Sequence, residues 1–112
     1  MISGVDIRRS MVEDAPRIAP LLGQLGYPTS PDVLATRMSR AGEADPSWVA
    51  VDDETMSVAG FAAGHLFTPL ELDGPVSELT ALVVDETARR AGIGRALVAQ
   101  FEAWAEARGS CE

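Results

Sequence analysis

Basic charge is scarce in this sequence, and so are cysteine, histidine and long apolar runs. The 112 residues hold 9 basic against 17 acidic side chains, a formal net charge of −8. A field of that sign repels nucleic acid and anionic membrane, so neither is expected as a partner. It suits a cationic small molecule or a basic peptide, but acidic balance is common and plain solubility is the simpler reading. A single cysteine, Cys111, excludes an internal disulfide. With no helix start or base beside it, Cys111 reads as a small buried residue or part of a frayed end rather than a nucleophile. No stretch approaches the apolar length of a membrane-spanning helix, and Met1–Asp6 lacks the basic-then-apolar pattern of a signal peptide. The expected location is therefore cytoplasmic. No clustered His, Cys or carboxylate spacing points to a metal.

What is present is an ordinary globular composition, 46% hydrophobic and 23% charged, which argues for one folded domain over residues 1–112. Val5–Arg9 alternates apolar and polar as a half-buried strand does. Ser10 stands three residues before Glu13, a capping-box spacing, and Asp14 offers a later start. Ile18, Leu21, Leu22 and Leu25 then mark one helical face, Pro20 should kink that helix, and Gly26 should stop it. Ser30-Pro31 places a cap before a proline suited to the first helical position. Val33, Leu34, Met38 and Ala41 form the apolar stripe of that second helix.

Trp48–Val51 reads as a strand with its turn at Asp52–Glu54. Ser57–Phe67 is a longer strand in which Gly60 and Gly64 predict a bulge or bend. Glu78–Val84 is apolar at nearly every position, the pattern of a strand buried on both faces. Leu97, Val98, Phe101, Trp104 and Ala105 mark a last helix ending near Gly109. The order is β, α, α, β, β, β, α. Three successive strands form an antiparallel meander packed by helices.

The chemistry lies between the strongest strand and the strongest helix, in Val84-Asp-Glu-Thr-Ala-Arg89-Arg-Ala-Gly92-Ile-Gly94-Arg-Ala-Leu97. Gly92 and Gly94 let a ligand approach the backbone, and the first helical turn leaves N–H groups without intrahelical acceptors. A phosphate or pyrophosphate is the natural occupant, with Arg89, Arg90 and Arg95 placed to add charge. A P-loop would end in Gly-Lys-Ser or Gly-Lys-Thr, which is absent. A dinucleotide fingerprint would need Gly or Ala where Leu97 stands.

Arg89-x-x-Gly92-x-Gly94, after a hydrophobic strand and opening an amphipathic helix, resembles the coenzyme A pyrophosphate loop of the GNAT superfamily of N-acetyltransferases. Ile7–Ala15 resembles that family's first strand and helix start, and Glu78–Asp85 its fourth strand. The resemblance runs from the first strand through the third helix. It implies an α+β fold of α/β sandwich type, a mostly antiparallel sheet flanked by helices, and an enzyme that moves an acetyl group from acetyl-CoA to a primary amine of a small molecule or peptide. It implies that backbone groups of Leu82, Val83 and Val84 pair with the pantetheine arm. The loop from Arg89 through Arg90, Ala91, Gly92, Ile93, Gly94 and Arg95 to Ala96 would hold the pyrophosphate, with backbone donors from Arg90 to Ala96.

Glu78 matches a position where family members often carry a catalytic glutamate; its other reading is a strand-end carboxylate facing solvent. Tyr27 falls where the family's substrate loop lies, and either lines that pocket or covers the core. His65 is a base or a polar residue satisfied at a strand end. Family members continue past the third helix into a further strand and a fourth helix, a region that commonly supplies a tyrosine acid. A domain ending after the third helix is expected to be a fragment or a truncated homologue whose sheet edge a partner completes, which favours a homodimer. The alternative function is a non-catalytic coenzyme A binding or assembly module.

Overall fold

The computed structural model describes residues 4–110, and at 89–91 it describes the backbone alone; Cys111 lies outside the described residues. Four strands, β1 (Val5–Arg9), β2 (Ser47–Asp52), β3 (Val58–Phe67) and β4 (Val76–Val84), lie in sequence order in one sheet, each antiparallel to the next. Helices α1 (Ala15–Leu25) and α2 (Pro31–Arg40) separate β1 from β2, and α3 (Ile93–Ala107) follows β4. Short 3-10 turns at Val12–Asp14 and Glu86–Ala91 lead into α1 and α3.

The sheet is sandwiched, and alternate side chains feed two cores. Val49, Val51, Val58, Phe61 and Val83 pack with Ile18, Leu21 and Leu34 of α1 and α2. Trp48, Ala50, Ala59 and Ala62 pack on the opposite face with Ile93, Leu97, Phe101 and Trp104 of α3. Trp48 anchors that second core, meeting Phe101 and Trp104 edge-on at ring separations of 6.1 and 6.0 Å. The glycines of β3 are set by how closely α3 lies on the sheet. A Cβ on Gly64 would stand 2.3 Å from Phe101 Cε1, and one on Gly60 would press Ile93 and Leu97 at 3.0 Å. The expected irregularity is there too, with register shifts between Ala63 and Gly64 and, across from Gly60, between Ala50 and Val51.

Several local expectations hold. The Ser30 hydroxyl accepts the Val33 N–H at 3.2 Å with Pro31 opening α2, and Gly26 ends α1 at φ 104°. Helix α1 runs on through Pro20, which lies on the solvent side. Two expectations do not hold. β4 is covered on both faces but not fully buried on either: only Val83 is fully buried, because β4 is the outer strand of the sheet among the described residues. The pairing of Ser10 with Glu13 does not form either. The Ser10 hydroxyl meets the Ser47 hydroxyl, and the Asp14 carboxylate turns back to accept the Met11 N–H at 2.7 Å.

Asp14 is held there by Arg8 of β1, whose two terminal nitrogens each reach a carboxylate oxygen at 2.9 Å. The Asp14 side chain is only 5% exposed, the Arg8 side chain 33%. The Arg8 hydrogen bonds hold the Asp14 carboxyl below the usual range, against the opposing effect of burial. A depressed folded value means that this stabilisation is complete above the unfolded carboxylate value of about 3.9 and is lost as pH falls through the folded value. Asp14→Asn should therefore cost about 2 kcal/mol at pH 7, a buried-pair loss reduced by the partial exposure of Arg8. Urea unfolding of both proteins from pH 7 to pH 2.5 should show that difference shrinking with acid; a constant difference would refute the ion pair as its source.

Candidate functional site

β4 ends at Val84, and the chain turns through Asp85, whose carboxylate accepts the Thr87 N–H at 3.0 Å and closes the 3-10 turn. Gly92 then takes φ 76°, a left-handed conformation that favours glycine, and α3 begins. Neither a side-chain cap nor an acidic residue occupies the first turn of α3. Its start thus keeps both its unsatisfied donors and its partial positive charge. The Ala96 N–H donates to the Gly92 carbonyl at 3.1 Å and closes the first turn. The first-turn donors left for a ligand are those of Ile93, Gly94 and Arg95, so Ala96 leaves the set expected from sequence.

A cleft of about 550 Å³ opens at this point, lined by Leu82, Val83 and Val84, by Gly92, Gly94 and Arg95, and by Gln24 and Leu25 from the end of α1. Six of the residues expected to bind the cofactor are thereby brought together. Ile93 turns its side chain into the α3 core and does not line the cleft. The side chains of Arg89, Arg90 and Ala91 lie outside the described residues. The Asp85 N–H donates to the Ala59 carbonyl at 2.8 Å, which sets the alternation of the β3–β4 ladder. By that alternation Val83 and Ala81 direct their backbone groups toward β3, and Leu82 directs its own to the outer edge.

Gly94 differs from the glycines of β3. A Cβ there would touch only Val84 Cγ2, at an ordinary 3.5 Å, and its φ is not positive. Neither packing nor backbone conformation requires glycine at this position. An open approach to the helix start is what glycine provides.

Gln24 was not legible as a site residue. Its Oε1 accepts the Glu86 N–H at 3.2 Å and ties the end of α1 to the loop after β4. Nothing in the local sequence signals a contact spanning that separation. Tyr27 is 69% exposed, so it does not cover the core; with Pro28, Thr29, Ser30, Val33 and Arg37 it lines a surface cavity of about 470 Å³. Glu78 is exposed on β4 and stands opposite His65 of β3. Leu79 packs into the α3 core whereas Ala81 and Val83 pack with α1 and α2, so Glu78 points to the α1/α2 face. The His65 Nδ1 lies 2.7 Å from Asp45 Oδ1. Among the described residues, no group of three or more His, Cys, Asp or Glu is placed to hold a metal ion, and no helix is long and apolar enough to cross a membrane.

The sequence model of the acetyltransferase (GNAT) family matches residues 11–112. The chain belongs to this family. Solved structures agree on the fold. The glucosamine-6-phosphate N-acetyltransferase of Arabidopsis thaliana superposes with a TM-score of 0.86 at 18% identity, covering 96% of this chain and 78% of that one. An acetyltransferase of Trypanosoma brucei gives 0.85 at 23% identity, covering 96% and 78%. The aminoglycoside antibiotic 6'-N-acetyltransferase of Acinetobacter baumannii gives 0.82 at 22% identity, covering 97% and 76%. A search among curated proteins finds no sequence relative. At these identities the neighbours establish architecture alone, and a GNAT domain is what the four-stranded sheet and its three helices form.

Proposed function

We propose that this GNAT domain is an acetyl-CoA-dependent N-acetyltransferase acting on a primary amine of a small molecule or peptide. The observation that carries this reading is the cleft at the start of α3, where a glycine demanded by neither packing nor φ sits beside three first-turn N–H donors. The residues fit the group. The donors of Ile93, Gly94 and Arg95 match the pyrophosphate, Arg95 adds charge at the cleft, and the outer edge at Leu82 fits the amide-bearing pantetheine arm. Bound acetyl-CoA would supply a thioester carbonyl as electrophile.

An amine acceptor must reach that carbonyl unprotonated, and Glu78 is the residue we assign to take its proton, directly or through water. The cavity beside Tyr27 is the acceptor subsite in this reading. Neighbours named for an aminoglycoside and for glucosamine 6-phosphate share the fold, so architecture leaves the acceptor open. The reading also includes a cytoplasmic setting and a homodimer whose partner covers the stretch of β4 that the pantetheine arm leaves open.

Acetyl-CoA at about 100 times its Kd should stabilise the domain by roughly 2.7 kcal/mol, a rise in Tm on the order of 10 °C. Incubation with a panel of polyamines, aminoglycosides and lysine peptides should then release free thiol with at least one acceptor. No thermal shift at millimolar acetyl-CoA would overturn the cleft assignment. A shift with no transfer to any amine would leave a coenzyme A binding module in its place.

A further inference from the structure

β3 does not end alone. Beyond Ser47, which pairs with Ala63, the loop before β2 stays alongside β3: the Gly64 N–H donates to the Pro46 carbonyl at 2.9 Å and the Leu66 N–H to the Ala44 carbonyl at 2.8 Å. The β2 register thus continues past the strand, and Asp45 falls opposite His65. On the other side of β3, Glu78 falls opposite the same residue. Directly opposed residues share a face of the sheet with their Cβ atoms about 5 Å apart. Asp45, His65 and Glu78 therefore form a row across the sheet, carboxylate, imidazole, carboxylate, on the α1/α2 side. Phe67, two residues further along, stacks on the imidazole with ring centres 5.2 Å apart and planes 13° from parallel.

Two features of the row are chemically specific. A carboxylate can only accept a hydrogen bond, so in the neutral ring the Nδ1 that lies 2.7 Å from Asp45 carries the proton. That tautomer puts the lone pair on Nε2, away from Asp45. The stacked Phe67 ring restricts the imidazole from turning over. His65 is also the only histidine in the sequence.

The proton transfer assigned to Glu78, which stands opposite His65, has work for such a nitrogen. An ammonium acceptor sheds two protons on its way to an amide, one before the carbon–nitrogen bond forms and one as it forms. The carbon–sulfur bond breaks with its electron pair leaving on sulfur; the thiolate takes up one proton, and the other goes to water. Glu78 accommodates one of the two protons in transit.

We propose that His65, oriented by Asp45, is a second catalytic proton acceptor at the amine site: Nε2 takes the proton released as the carbon–nitrogen bond forms, while Nδ1–H stays on Asp45. This inference rests on the acetyltransferase reading above. Among the described residues, the titratable groups that face the ring are Asp45 from the loop and Glu78 from β4; Glu43 lies two residues before Asp45 in the same exposed loop.

Because the protein has one imidazole, its protonation can be followed by NMR and set against kcat/KM for an accepted amine across pH 5–10. The expected result is that the acid limb of the kinetic profile coincides with the imidazole titration. His65→Gln should lower kcat/KM roughly ten-fold near neutral pH and remove that limb, with acetyl-CoA affinity unchanged. Asp45→Asn, which removes the carboxylate that accepts from Nδ1–H, should lower kcat/KM in the same direction, and adding it to His65→Gln should cost little more than His65→Gln alone. Wild-type transfer with an unaltered His65→Gln profile would overturn the role of His65 and leave the acetyltransferase reading standing. A full additional loss on adding Asp45→Asn to His65→Gln would remove Asp45 as the residue that orients the ring. Absence of transfer by the wild-type protein to any amine would overturn both.

Discussion

Replacing Glu78 by Gln is expected to lower kcat/KM for the amine by about 10²–10³-fold at pH 7 and by progressively less toward pH 10. The size follows from what the base must overcome. A lysine-like amine with pKa about 10.4 is almost wholly protonated at pH 7, and removing its proton costs roughly 4–5 kcal/mol. Glutamine keeps the shape of the side chain but not its basicity. Glu78 is exposed on an outer strand, so the change should leave stability within about 0.5 kcal/mol. As pH rises, solvent deprotonates more of the acceptor and the missing carboxylate matters less. The Kd for acetyl-CoA should stay the same. A loss that is uniform across pH, or no loss at all, would remove Glu78 as the base.

Gly94→Val is expected to weaken acetyl-CoA binding by about 100-fold or more while the domain stays folded. A side chain at Gly94 would fill the approach to the first turn of α3. Losing two charge-assisted hydrogen bonds of about 1.5 kcal/mol each corresponds to a factor of roughly 150. Stability should not fall in parallel. A Cβ at this position meets only Val84 Cγ2 at 3.5 Å, and replacing a helical glycine by alanine gains up to about 1 kcal/mol. Gly94→Ala is therefore the control, with an equal or higher Tm and a smaller loss of affinity. Calorimetric titration with acetyl-CoA and thermal melts separate the two effects. Undiminished affinity in Gly94→Val would show that the cofactor does not sit at this helix start.

Much of this architecture is legible along the chain because its signals are local. The apolar spacing of Ile18, Leu21, Leu22 and Leu25, the Ser30-Pro31 start and the glycine stop at Gly26 each act within one or two turns of helix. The loop from Asp85 to Arg95 is legible for the same reason, since the glycines, the strand before it and the helix after it are contiguous. β4 was misread in one respect. An unbroken apolar run also fits an outer strand that packs a helix layer on each face, and periodicity does not report how many strands lie beside it. Ser10 was misread as a cap because a side chain seen in sequence competes only with its neighbours, whereas in the fold Ser47 is closer.

The sequence alone therefore determined the order of the elements, the α+β class and the strand–glycine-loop–helix from Val83 to Leu97, all of which depend on residues within a few positions of one another. Tertiary structure decided the rest. It committed the Ala96 N–H to the first turn of α3, brought Gln24 to the cleft wall, and aligned Asp45, His65 and Glu78 across the sheet. Those three residues come from a loop and two strands. Their meeting depends on a register continued by two backbone hydrogen bonds beyond the end of β2, and on the register shift between Ala63 and Gly64 that sets Glu78 opposite His65. A one-residue slip on either side would turn a carboxylate to the opposite face. Only the packed sheet holds that register.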